Sequence, residues 1–191
     1  MFLVLCPKAW VAHTNALIKK HIPEGKKITV IPGGATRNGT LENAIEYIEA
    51  NCEVDEDTVI VTHDAVRPFL THRIIEENVD AALKYGACDT VIPATDTIVE
   101  SADGKTITSI PDRTKMFQGQ TPQSFRLKEL KRVLLSLTEE EKAILTDACK
   151  IFSIKNKDVY MVEGEVFNIK ITYPYDLKVA HTLLKGKDSD D

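Results

Sequence analysis

The first half of the chain alternates between two periods. Short apolar or β-branched runs of strand length, Phe2–Cys6, Lys27–Ile31, Asp57–Thr62 and Cys88–Ala94, are separated by longer segments with apolar residues at helical spacing. Lys8–His21 carries Trp10, Val11, Ala16, Leu17 and Ile18, and Asn38–Cys52 carries Leu41, Ala44, Ile45 and Ile48. Thr71–Tyr85 is closed by Gly86, where a helix end needs a left-handed residue. A strand followed by a helix and another strand leaves room for a crossover. The repeat therefore predicts an α/β chain with a doubly wound, mostly parallel, Rossmann-like sheet. Ligands of such sheets bind beyond the carboxyl ends of the strands. GGATRNGT (33–40) and THDAVRPF (62–69) both fall at such ends, so one shared crevice is expected.

Downstream the pattern changes. Thr97–Ser101 and Thr106–Ile110 are short β runs joined by Ala102-Asp103-Gly104-Lys105, and Asp-Gly is a strong hairpin signal. Extended, polar Lys115–Thr121 follows. A β-hairpin arm over 97–121 is expected, either reaching a partner subunit or lying as a flap. Leu127–Leu135 and Glu139–Ile151 read as helices, and Val159–Val162 and Asn168–Ile171 as strands. Pro174–Leu184 reads as a last helix that Thr172 can cap.

At 191 residues the chain suits one domain, over 1–186, with a charged tail at 187–191. A net charge of −5 gives no general attraction to nucleic acid or anionic membranes, so an anionic ligand must be held by local Lys and Arg. No apolar run is long enough to cross a membrane, and MFLVLC is too short for a signal-peptide core. Cys6, Cys52, Cys88 and Cys149 match no zinc spacing and read as reduced core thiols of a cytoplasmic protein.

Several polar groups are placed for chemistry. The glycines of GGATRNGT let backbone approach a ligand, and the helix after them offers unpaired N–H groups. It is not a P-loop, and a plain turn before a helix is the simpler reading. Asp64, at a strand end, is placed to hold Mg²⁺ through a nucleotide's phosphates. Arg67 either holds that carboxylate or contacts phosphate, with a structural Asp–Arg pair as the alternative. Asp96 and Thr97 stand at the mouth of the hairpin, and Arg113, Lys115, Gln120 and Thr121 follow it. Thr146 and Asp147 stand at a helix start, where capping is the plain explanation. Lys170, among apolar neighbours, needs an anion partner or a route to solvent.

Six segments then occur in order: GGATRNGT, THDAVRPF, DTVIPATDTIVES, QGQTPQSF, LTDACK and GEVFNIKIT. Together they resemble the cytidylyltransferases that make CDP-alcohols from CTP and a sugar-alcohol phosphate, over nearly the whole chain from Phe2 to Leu184. The branch using ribitol 5-phosphate, for wall teichoic acid, is the more similar. The methylerythritol-phosphate branch of isoprenoid synthesis is the alternative. The resemblance implies that Gly34, Ala35, Thr36, Arg37, Asn38, Gly39, Thr40 and Leu41 contact the cytidine. It implies that Asp64 helps hold Mg²⁺ or another divalent cation, and that Arg113 and Lys170 position the alcohol phosphate. Thr97, Thr121 and Thr146 would lie around that second substrate. The arm would make a homodimer, with Arg113 serving the neighbour's site.

One departure stands out. The family's opening strand, glycine-rich loop and Pro-Lys pair have no counterpart here, and Pro7-Lys8 begins the next helix instead. The resemblance thus implies an N-terminally incomplete chain, weak in catalysis by itself, with open strand edges and an uncovered apolar groove. A non-catalytic binding or dimerising module is the other reading.

Overall fold

The computed structural model describes residues 1–145 and 147–187. In chain order the elements are β1 (Phe2–Cys6), a 3₁₀ turn (Lys8–Trp10), α1 (Val11–His21), β2 (Ile28–Pro32), α2 (Arg37–Asn51) and β3 (Val59–Thr62). Then come α3 (His72–Tyr85), β4 (Ala87–Pro93), a 3₁₀ turn (Arg113–Lys115), β5 (Phe117–Arg126) and α4 (Leu127–Leu135). The last are α5 (Glu139–Ala143), α6 (Ala148–Ile154), β6 (Tyr160–Glu163) and α7 (Pro174–Lys187). This is an α/β fold with mostly parallel strands. The chain divides into two compact units, Met1–Thr58 with Leu127–Lys157, and Val59–Arg126 with the chain from Asp158 onward.

In the first unit β1 and β2 pair in parallel, from Phe2 opposite Ile28 to Cys6 opposite Pro32. Neither strand, nor α1, carries a fully buried residue. The core is helical instead. Leu41, Ala44 and Ile45 of α2, Leu127, Leu130, Val133 and Leu134 of α4, and Ile151 and Phe152 of α6 are all buried. The helix expected over Glu139–Ile151 is two. Thr138 and Glu141 form a capping box on α5, and Asp147 then accepts from Lys150 N–H at 3.1 Å to start α6. A second strong N-cap inside an apolar periodic run makes a new helix start there.

In the second unit the strand order is β3-β5-β4-β6. β5 runs antiparallel to both neighbours, and β4 and β6 are parallel, so three strands of four point one way. The arm expected over 97–121 therefore ends early, because Phe117 onward belongs to the reversed central strand. Its polar sequence FQGQTPQSFR hid it. Residues 120–125 are buried, and the polar side chains of Gln120, Thr121, Gln123 and Ser124 are bonded inside the protein. Pro122 is tolerated because the pairing with β4 shifts between Asp89 and Val91, and the pairing with β3 ends at Gln123.

Asn78, fully buried on α3, ties that interior together. Its Nδ2 donates to Thr90 Oγ1 at 2.9 Å, Thr90 Oγ1 donates to Pro122 O at 2.7 Å, and Ser124 Oγ donates to Asn78 Oδ1 at 3.2 Å. The hairpin itself is slight. Glu100 and Ser109 form an isolated bridge, and Asp103 accepts the Lys105 and Thr106 N–H groups at 2.8 Å.

Three further expectations are corrected. Asn168–Ile171 is a loop rather than a strand, because Asn168 N–H turns back to Glu165 O. Asp176, not Thr172, caps α7, accepting from the N–H groups of Thr172 and Tyr173 at 2.8 Å. Cys88 and Cys149 are core thiols, but Cys6 is half-buried and Cys52, just past the end of α2, is exposed. Among the described residues no helix is long and apolar enough to cross a membrane.

Candidate active site

β3 ends at Thr62 and the chain turns at once, with Arg67 N–H donating to Asp64 O at 3.0 Å. Lys170 arrives from the far end of the same unit, and its Nζ donates to Asp64 Oδ2 at 3.0 Å. Arg67 Nε lies 3.9 Å from that oxygen, and its Nη1 donates to Asn168 O at 2.7 Å. One carboxylate is thus flanked by two cations. The Arg67 side chain is only 11 % exposed. Burial pulls its pKa down, with Asp64 and Asp89 opposing; a guanidinium starts so high that it stays charged. The Lys170 side chain is 47 % exposed, so the ion pair contributes little to folding. Its ammonium has a solvent side from which to meet an incoming anion. The anion partner expected for Lys170 is Asp64, although the strand expected to carry it is absent.

The turn is held from β5. Thr121, 4 % exposed, accepts the Asp64 N–H at Oγ1 (3.1 Å), and the same oxygen lies 2.9 Å from His63 Nδ1. His63 Nε2 lies 2.9 Å from Arg67 O. Next along the strand, Gln120 donates to Glu165 O at 2.9 Å, and Asn168 Nδ2 donates to Gln120 Oε1 (3.2 Å) and Thr121 O (2.9 Å). Sequence reasoning missed Asn168 and the bonding of His63. The signal for Asn168 was the one used for Lys170, a polar residue between apolar ones (Phe167 and Ile169) that must find a bond.

The other expected residues lie elsewhere in their units. Thr97 is exposed in the irregular segment after β4. Arg113, in its 3₁₀ turn, is exposed and donates to Thr95 O at 2.8 Å. Thr146 lies outside the described residues.

The 34–41 turn belongs to the first unit. Thr36 caps α2 by accepting from Gly39 N–H at 3.1 Å. Thr40 Oγ1 accepts from Gly34 N–H at 3.1 Å and donates to Thr36 O at 2.9 Å. A Cβ on Gly34 would lie 2.4 Å from the Gly39 carbonyl carbon. That glycine serves the turn's contact with itself, where ligand approach was the reason expected. Ala35, Thr36 and Arg37 are exposed, Asn38 Nδ2 donates to Lys142 O at 3.5 Å, and Leu41 is in the core.

Among the described residues no group of three or more His, Cys, Asp or Glu is clustered to hold a metal ion. Asp64 offers one carboxylate. That donor set fits a divalent ion carried in on a nucleotide's phosphates, which supply the remaining oxygens, better than a resident ion in a protein cage.

A family model described as 2-C-methyl-D-erythritol 4-phosphate cytidylyltransferase matches residues 3–186. Among solved structures, the chain is similar to 4-diphosphocytidyl-2C-methyl-D-erythritol synthase from Anaerococcus prevotii. There the identity is 25 % and the TM-score 0.78, over 96 % of this chain and 78 % of that one. It is similar also to 2-C-methyl-D-erythritol 4-phosphate cytidylyltransferase from Thermus thermophilus. In that case the identity is 26 % and the TM-score 0.74, over 96 % of this chain and 81 % of that one. The Francisella tularensis enzyme of the same name matches at 26 % identity and a TM-score of 0.73, over 84 % of this chain and 73 % of that one.

Proposed function

The chain belongs to the 2-C-methyl-D-erythritol 4-phosphate cytidylyltransferase family, and from that premise we propose that it transfers a cytidylyl group from CTP to a polyol phosphate, giving a CDP-polyol and pyrophosphate. A phosphate oxygen of the acceptor attacks the α-phosphorus of CTP. The bond from that phosphorus to the bridging oxygen breaks, and pyrophosphate leaves with the electron pair. Two polyanions must meet, so fixed positive charge and positioning lower the barrier. The observation that carries the reading is the Asp64–Lys170 pair, which sets one carboxylate and one half-exposed ammonium side by side at a strand end.

In this reading Lys170, with Arg113, orients and neutralises the acceptor phosphate, and Asp64 holds a divalent cation on the triphosphate. That cation, Mg²⁺ or a similar ion, withdraws charge from the phosphates. The turn Gly34–Leu41 contacts the cytidine, Thr97, Thr121 and Thr146 lie near the acceptor, and the hairpin meets a second copy of the chain. The acceptor we propose is D-ribitol 5-phosphate, from the resemblance of THDAVRPF and LTDACK to that branch. Methylerythritol 4-phosphate is the second reading, favoured by the names of the family model and the similar structures.

Pyrophosphate release with CTP and Mg²⁺ tests both, comparing ribitol 5-phosphate, methylerythritol 4-phosphate and no acceptor. Release dependent on ribitol 5-phosphate is expected. Release with methylerythritol 4-phosphate alone reassigns the acceptor, and silence with both in a folded sample overturns cytidylyl transfer by this chain.

A further inference from the structure

Asp64 is bonded through both of its peptide groups, its N–H to Thr121 Oγ1 and its C=O to Arg67 N–H. Between the two anchor points stands His63, the residue before it, and the bonding orders every hydrogen. Arg67 O can only accept, so His63 Nε2, 2.9 Å away, carries the imidazole hydrogen. Nδ1 is then a lone pair. Thr121 Oγ1 receives the Asp64 N–H and passes its own hydrogen to Nδ1 at 2.9 Å. The opposite tautomer would bring two hydrogens to the Thr121 oxygen and leave its own without that acceptor.

We infer that His63 is a positioning residue: with its hydrogen on Nε2 it clamps the Asp64–Arg67 turn to Thr121 of β5 and so sets the direction of the Asp64 carboxylate. The inference rests on the proposed reading of Asp64 as the carboxylate that faces the metal–nucleotide complex. The same turn also holds the segment that carries Lys170, since Arg67 Nη1 donates to Asn168 O at 2.7 Å and Ile171 N–H to Val66 O at 2.9 Å. Loosening the clamp should therefore weaken nucleotide binding, and the loss should follow the Thr121 hydroxyl rather than the bulk of its side chain.

Two readouts test this on the full chain. In the first, long-range proton–nitrogen correlation of ¹⁵N-labelled imidazole is expected to show His63 protonated at Nε2 alone. A hydrogen on Nδ1, or a mixture of tautomers, overturns the inference whether or not CTP binds. In the second, calorimetry measures the binding of CTP with Mg²⁺. His63→Gln keeps a donor toward Arg67 O but loses the Nδ1 acceptor, and Thr121→Val loses the hydroxyl. Each is expected to weaken Mg-CTP binding about tenfold, as loss of a supporting bond behind a metal ligand does. The double variant should bind no worse than either single one. Thr121→Ser, which restores the hydroxyl, should recover wild-type binding. Additive losses in the double variant, or no rescue by serine, would each overturn the clamp. Wild-type protein that binds no CTP would instead count against the proposed function, and the imidazole spectrum would still decide the wiring.

Discussion

Single side chains in this protein separate into groups whose removal costs chemistry and groups whose removal costs folding. In the proposed reaction Lys170 is of the first kind. Its pair with Asp64 is half-exposed, so Lys170→Met should shift stability by less than about 1 kcal/mol. In the proposed reaction it should lower kcat/KM about a hundredfold or more, since it removes a fixed charge opposite a phosphate. Urea unfolding beside pyrophosphate release separates the two effects, and a stability loss as large as the activity loss would place Lys170 in the scaffold. Asn78 is of the second kind. It is fully buried, and its side chain serves Thr90, Ser124 and the Ile74 carbonyl. Asn78→Ala leaves those groups unsatisfied and should cost about 2–4 kcal/mol by urea unfolding. The cysteines grade by burial. Burial pushes the Cys88 thiol up to about 11, so it stays protonated and shielded at neutral pH. A thiol reagent should label exposed Cys52 first and reach Cys88 only on unfolding; labelling at Cys88 in native protein would contradict its placement.

At the scale of elements, caps and polar bonds decided what periodicity did not. α7 starts where Asp176 accepts two backbone N–H groups, which hold its carboxyl below the ordinary range. A carboxyl whose folded pKa lies below its unfolded one stabilises above the unfolded value. That contribution is lost as pH falls through the folded value. α7 should therefore fray on acidification, and Asp176→Asn, which can accept but not titrate, should remove that part of the dependence. Amide exchange along α7 as a function of pH checks this, and an unchanged profile in the variant would count against the cap. β5 is the element least legible from composition. Strand rules favour β-branched and aromatic residues, yet its Gln, Ser and Thr side chains are acceptable in the centre of a sheet because Asn78, Thr90, Asp89 and Asn168 bond to its residues. Those bonds come from other elements and leave no local trace.

For the molecule as a whole, burial is unevenly spread. β4 and β5 lie inside a four-stranded sheet with Cys88, Thr90, Gln123, Ser124 and Phe125 fully buried. β1, β2 and α1 have no fully buried residue, while Phe2 and Trp10 are 75 % and 56 % exposed. A two-stranded parallel pair with so little burial opens locally at low cost. Native-state hydrogen exchange should find β4 and β5 amides exchanging only through global unfolding, and β1 and β2 amides at much lower free energy. Equal protection in both would show that the first unit is held more firmly than its burial implies. The sequence by itself determined the α/β class, the existence of the helices and strands from β1 to β4, and the strand-end position of Asp64. These follow from periodicity and turn chemistry, which act between neighbours in the chain. Only the tertiary structure decided that β5 runs backwards through the centre of its sheet, that Lys170 meets Asp64, and that His63 and Asn168 hold the two sides of that pair. Those outcomes depend on which distant groups satisfy a buried donor or acceptor, and such pairings arise only when the chain has closed on itself.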